Sequence, residues 1–304
     1  MNSRTVAAET ADIPASSAAI GPVSATPISA AMTVADAFVL LATSISGEAV
    51  CRVRKLNSSA GPEDLHKLRV AMRRLRTLWW AYEPLLDKKE AKLSRREFKS
   101  LADAAGRTRD WDVLRELIAA ADASEKHAFS SLIAAIDEHR AEALSFSLRA
   151  IANAGVERIL EQALADARLH LDAQCAARPI ASFAEERVQA AEESLQKRVK
   201  RAISADGSDY AALHEVRIAG KKLRYLLQFF APVLQSVHQA VIERLTVVQD
   251  ELGTLNDQVT SEALLREYAF QLGDAKRVKQ AIAYLQSETA RHMHHVHKIL
   301  HTMA

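Results

Sequence analysis

From about residue 34 to the C-terminus, apolar residues recur at three- and four-residue spacings, the pattern of helices that turn one face to a core. The pattern breaks at Asn57–Pro62, Pro84–Lys89, Ala121–Ser124, Asn153–Gly155, Arg178–Pro179, Asp206–Asp209, Pro232–Ser236 and Gly273–Asp274. Turn formers and helix breakers gather there. The breaks predict about eight or nine helices, most of them ~20 residues long or more. Two breaks carry helix-start chemistry: Pro62-Glu63-Asp64 places a proline and two acids in a first turn, and Asp206 to Asp209 precedes another long helix. Residues 1–33 have no such period. They are rich in Ala, Ser, Thr and Pro with almost no charge, which predicts a disordered tail. Its functional alternative is a targeting or docking segment.

Composition supports an all-α fold. The 304 residues include only 9 Gly and 7 Pro, too few turn formers for a β-sandwich or barrel. At 49% hydrophobic and 26% charged, the chain can bury a substantial core. A formal net charge of +2 argues against a globally basic nucleic-acid binder and leaves a local basic site open. Cys51 and Cys175 are far apart and outside any CxxC, which excludes a disulfide framework and a cysteine zinc site. Without 18 consecutive apolar residues no membrane span is expected. The first residues lack a secretory pattern, so the expected location is the cytoplasm.

The chain also repeats itself. Residues 65–86, LHKLRVAMRRLRTLWWAYEPLL, match residues 213–234, LHEVRIAGKKLRYLLQFFAPVL, at an offset of 148. A second match follows at an offset of 147, between 98–112 and 245–259, which aligns Gly106 with Gly253 and Asp110 with Asp257. Two segments in the same order at nearly the same spacing predict a duplicated helical half. The halves fall at 34–153 and 180–301, with a linking helix at 155–177.

On a helical projection of the first copy, Arg69, Arg73 and Arg76 lie within roughly 80° of His66. Leu65, Leu68, Met72, Leu75 and Trp79 occupy the adjoining sector. The second copy repeats the layout: His214, Arg217, Lys221 and Arg224 share a face beside Leu213, Val216, Leu223 and Leu227. Arg74 and Lys222 lie on the other flank. A solvated charged face is the simplest reading of such a run. Against it, residues 65–76 contain no acid for helix-stabilising ion pairs, and the stripe abuts the core, where unpaired charge is costly. The cationic positions also recur in the duplicate, whereas Lys67 is replaced by Glu215. Crowded cations repel unless an anion neutralises them. Arginine forks fit phosphate oxygens, lysines add point charges, and His66 and His214 could donate as imidazolium near phosphate. Two facing stripes would form a groove suited to an extended polyanion.

The repeated HKLRVAMRRLR and HEVRIAGKKLR resemble the signature of the CHAD family, the conserved-histidine α-helical domain, over about residues 34–301. The resemblance implies two tandem antiparallel four-helix bundles related by a pseudo-two-fold axis. It also implies a central basic cavity or pore that binds inorganic polyphosphate, and association with polyphosphate granules. Carried over residue by residue, the basic motif falls on His66, Arg69, Arg73, Arg74, Arg76, His214, Arg217, Lys221, Lys222 and Arg224. Lys221 and Lys222 replace arginines of the first copy, keeping charge and losing the bidentate fork. Arg52 and Lys200 correspond at the same offset and are weaker candidates. Many relatives resemble accessories of a triphosphate-tunnel (CYTH) domain, whose ExExK mark is absent here, so a stand-alone module is expected.

Other constellations have plainer explanations. Asp110 and Asp112, with Asp257 as counterpart, could hold a metal, but pairing with Arg107 or Arg109 is simpler. The tail RHMHHVHKILH puts His294, His297 and His301 on one face and His292 with His295 on another, where a mixed surface competes with a metal site. Trp79, Trp80 and Trp111 could stack on bases but read first as core. No HExxH, P-loop, GxSxG or GxGxxG motif pairs a nucleophile with a base. The expectation is therefore a non-enzymatic polyphosphate binder without metal or cofactor. The alternatives are a module for nucleic-acid backbone and, behind it, an enzyme of phosphoanhydride cleavage.

Overall fold

The computed structural model describes residues 28–58, 62–124, 128–174, 178–205, 209–234 and 239–303. These contain ten α-helices and no strand. In order they are α1 (Val34–Ser58), α2 (Pro62–Tyr82), α3 (Lys88–Ala104), α4 (Arg107–Ser124), α5 (Ser130–Asn153), α6 (Val156–Gln174), α7 (Ile180–Ser204), α8 (Tyr210–Phe230), α9 (Gln239–Glu267) and α10 (Ala275–Met303). A single 3-10 turn, Glu83–Leu85, follows α2. The linking helix predicted at 155–177 is α6.

Local chemistry accounts for several boundaries. Asp87 opens α3 by accepting hydrogen bonds from the Lys89 and Glu90 amides, and Asp209 opens α8 by accepting from Ala212. Asp274 does the same for α10, accepting from Lys276 and Arg277. Asp206 lies outside the described residues. Gly155 and Gly273 adopt φ of +62° and +82°, the left-handed conformation that commonly ends a helix.

The helix count exceeds the sequence expectation because of one missed break. The stretch between Pro84 and Ser124 is two helices, divided at Ala105–Gly106. The aligned Gly253 lies inside the uninterrupted α9. Their surroundings differ: a Cβ at Gly106 would stand 3.0 Å from the Arg69 Cζ, whereas nothing lies within 4 Å at Gly253.

The end of the predicted tail is ordered, which corrects its boundary. Ile28 is buried. The Ile180 amide donates to the Met32 carbonyl at 3.1 Å, and the Val34 amide donates to the Arg178 carbonyl at 2.9 Å. An apolar side chain and a pair of backbone bonds thus fix residues 28–34 to the start of α7. Residues 1–27 lie outside the described residues. Within helix α1, Val34–Leu56 is long and apolar enough by composition to cross a membrane. Here its buried face, including Phe38, Ala42, Ile45 and Ala49, packs on α2 and α6.

Helices α1, α2 and α3 pack in sequence, as do α7, α8, α9 and α10, and α4 packs on α5. Across the molecule α2 meets α8, and α4 meets α9. The apolar residues form two clusters that do not follow the halves of the sequence repeat. The larger joins α1–α3 and α6–α8 with parts of α9 and α10. At its centre the Tyr82 ring lies 4.8 Å from Phe38 and 4.6 Å from Phe183, and Trp79 packs between Phe38 and Phe98. The smaller joins α4 and α5 with the end of α9 and the start of α10.

Candidate functional site

Helices α2 and α8 bury the apolar rows read from the sequence: Leu65, Leu68, Met72, Leu75 and Trp79 on one, Leu213, Val216, Leu223 and Leu227 on the other. Their contact brings the adjoining basic rows together. Arg73 of α2 interacts with Arg224 of α8 as well as with Arg69, and both Arg217 and Lys221 of α8 feel Arg73 as their strongest like charge. Burial depresses the basicity of all three. Arg73 is held below the usual arginine range. Arg217 is pushed down to about 10, by burial and then by Arg73. Lys221 is pushed down to about 5, by burial and then by Arg73, Arg217 and Arg224. This is the response of cations taken from water and crowded together. The Nε atoms of Arg217 and Arg224 and the Nδ1 of His66 are buried without a hydrogen-bond partner.

Two carboxylates enter from the facing helices. Asp110 of α4 accepts from the Arg69 Nη1 at 3.5 Å. Burial raises its basicity and Asp257 adds to this, while Arg69 opposes it. Asp257 of α9 lies within electrostatic reach of Arg73, Arg217 and Lys221. The acids paired by the repeat therefore meet in space, against the cations paired by the same repeat. The two histidines have different surroundings. His66 is pushed down by burial and then by Arg109. At the position aligned with Arg109 the second copy has Asn256, which shares the Tyr210 hydroxyl with His214, each at 3.3 Å. Burial and Arg217 lower His214 in turn. The protein's own groups thus favour neutral imidazoles, and the imidazolium role requires a nearby anion.

Arg76 and Lys222 extend the basic surface along the other flank. Both are lowered by burial, and both interact with Arg95 of α3. The Lys222 ammonium sits 4.6 Å over the Trp80 ring, and the Arg187 guanidinium of α7 sits 5.2 Å from the same ring. Arg198 of α7 completes the group. Arg95, Arg187 and Arg198 escaped the sequence reading, because they stand on helices with no motif and reach this flank only through folding. Trp80 departs from its core assignment by serving as a cation platform, whereas Trp79 and Trp111 are buried.

The remaining candidates lie apart. Arg74 donates to Glu48 at 3.1 Å and lies 5.8 Å from the Phe229 ring, an arrangement that ties α2 to α1 and α8. Arg52 donates to Asp64 at 3.2 Å. Lys200 is exposed near the end of α7. Asp110 and Asp112 pair with Arg69 and Arg140, not with Arg107 or Arg109 as expected. In the histidine-rich α10, His292 and His295 face Glu251 at 3.5 and 3.8 Å. Among the described residues no group of three or more His, Cys, Asp or Glu side chains is placed to hold a metal ion.

Comparison with solved structures gives the same fold. The crystal structure of the CHAD domain from the plant Ricinus communis superimposes with a TM-score of 0.79 at 24% identity, covering 92% of this chain and 95% of that one. PptA from Streptomyces chartreusis superimposes with a TM-score of 0.68 at 16% identity, covering 89% of this chain and 99% of that one. No curated protein matches the chain. The CHAD domain model matches residues 48–266, a span that contains both basic helices and both aligned aspartates. The chain belongs to the CHAD domain family.

Proposed function

We propose that the cleft between α2 and α8 binds inorganic polyphosphate. One observation carries this reading: Arg73 from one basic helix faces Arg217, Lys221 and Arg224 from the other, a half-buried cationic cluster of the kind that a phosphate chain would neutralise. The second flank, through Arg76 and Lys222, gives such a chain room to continue. The CHAD resemblance points to the same ligand. The repeat supports two bundles related by an approximate two-fold. Moving α2 forward by 148 residues gives the bounds of α8, and α1, α2, α3 with α4, and α5 correspond in order to α7, α8, α9 and α10. In this reading the protein binds polyphosphate without cleaving it and resides in the cytoplasm at polyphosphate granules.

The test is Arg69→Ala with Arg217→Ala, each about one-third exposed or less on its helix and outside the apolar rows. Polyphosphate affinity drops at least tenfold while the helical circular dichroism is retained. Unchanged affinity in the double variant would return both stripes to the role of solvated surface. Competition separates the nucleic-acid alternative: polyphosphate displaces DNA or RNA, and neither displaces polyphosphate. Phosphate release from polyphosphate in the presence of Mg²⁺ or Mn²⁺ would instead reveal an enzyme.

A further inference from the structure

Beside the basic cleft, and bordering it at Asp110, a groove of about 830 Å³ runs between α4, α5 and the end of α9, within the size range of small-molecule sites. Its two ends differ in chemistry. At one end the Arg107 guanidinium lies 4.2 Å from the centroid of the Phe146 ring. Arg149 follows one turn later on the same side of α5 and also lines the groove. Both arginines are exposed, and no ion pair engages either among the described residues. Phe146 is itself 41% exposed, unusual for a large apolar ring in a helix that buries Ile136 and Ile151.

The other end is aromatic. His139 stands seven residues before Phe146, about 10 Å along the helix axis. Its ring stacks on Trp111 at 5.1 Å with an interplanar angle of 15°, and Tyr268 meets both rings edge-on at 5.0 and 5.3 Å. Glu267, beside Tyr268, and Glu142, whose carboxylate lies 3.3 Å from the His139 Nδ1, supply acceptors along this stretch. A ligand that fits must therefore carry negative charge at one end, a flat ring at the other, and hydrogen-bond donors at the ring end and between. Inorganic phosphate chains satisfy only the first condition.

We propose that this groove binds a nucleoside polyphosphate, with the phosphates at Arg107 and Arg149 and the base against His139 and Tyr268. Arginine forks suit terminal phosphate oxygens, and aromatic faces stack on any base. Glu142 and Glu267 accept from the sugar hydroxyls and from the ring amino group. The site adjoins the polyphosphate cleft at Asp110, which lines the groove and pairs with Arg69 on its other side, and it stands whether or not that cleft binds polyphosphate.

Calorimetric titration of the full chain with ATP, adenosine and inorganic tripolyphosphate tests the assignment. Phe146→Ala with Arg149→Ala lowers ATP affinity at least tenfold and leaves polyphosphate binding unchanged. Both positions are exposed, so the fold tolerates the change, and circular dichroism verifies this. Arg73→Ala with Lys221→Ala leaves ATP affinity within about twofold, and in that background tripolyphosphate binds at least tenfold more weakly than ATP. The proposal is overturned if ATP fails to bind at millimolar concentration, or if the cleft variant abolishes ATP binding while the groove variant spares it. Equal affinity for tripolyphosphate and ATP in the cleft variant overturns it as well, because the aromatic end would then be idle.

Discussion

Lys221 concentrates the electrostatics of the cleft in one side chain. Its ammonium form is opposed by burial and by Arg73, Arg217 and Arg224, and Asp257 only partly compensates. Between about pH 5 and the ordinary lysine value near 10.5, the folded protein holds the neutral amine while the unfolded chain holds the ammonium. The unfolded state binds more protons there, so Lys221 makes stability rise with pH across that window. A bound polyanion reverses the preference and draws a proton onto Lys221. Polyphosphate binding at neutral pH is accordingly accompanied by proton uptake, and affinity falls as pH rises. Calorimetry in two buffers of different ionisation heat measures that uptake, and Lys221→Met removes it. The sequence located this residue and its charge. It gave no sign that the amine would be neutral, because the depression comes first from burial in the folded cleft and then from Arg73, more than a hundred positions away. For Arg74 the sequence indicated a flank apart from Arg73 and not the partner met there, Glu48 of α1.

Among the helices, the break at Gly106 matters most for the cleft. Arg69 lies against this glycine, its Cζ and Nε within 3.0 and 3.1 Å of where a Cβ would stand. Gly106→Ala pushes the guanidinium away from Asp110. We expect a severalfold loss of polyphosphate affinity with little change in helical content, read by titration alongside circular dichroism. Gly47 and Gly155 act only through the backbone. Gly47, exposed within α1 with nothing within 4 Å, gains stability on change to alanine, by roughly 1 kcal/mol of helix propensity. Gly155, held at φ +62°, loses about 1 kcal/mol on the same change. Thermal or denaturant unfolding distinguishes the two signs. Helix existence and the offset of the repeat were legible because apolar spacing and duplicated residues are local signals. The α3–α4 break was not, since Gly106 and Gly253 align and differ only in what packs on them.

The apolar clusters set the cooperativity of the whole molecule. The sequence repeat suggests halves with a core each, yet the larger cluster unites α1–α3 with α6–α8, and the smaller unites α4 and α5 with α9 and α10. A fragment ending at residue 174 would expose Tyr82 where Phe183 now covers it. Such a fragment should lack a cooperative thermal transition, whereas the intact chain unfolds in a single step. Calorimetric scanning of both checks this. Phe183→Ala in the intact chain costs about 3–5 kcal/mol, the usual range for removing a buried ring. Partition of apolar surface between repeats is a tertiary outcome that residue periodicity cannot express, since it states which face is buried and not against whom. The backbone bonds joining Met32 and Val34 to Arg178 and Ile180 carry a mechanical consequence. Tension applied ahead of Ile28 loads an anchorage near the chain's midpoint before α1 can peel away, so a molecule tethered by its leading end is gripped through both halves at once.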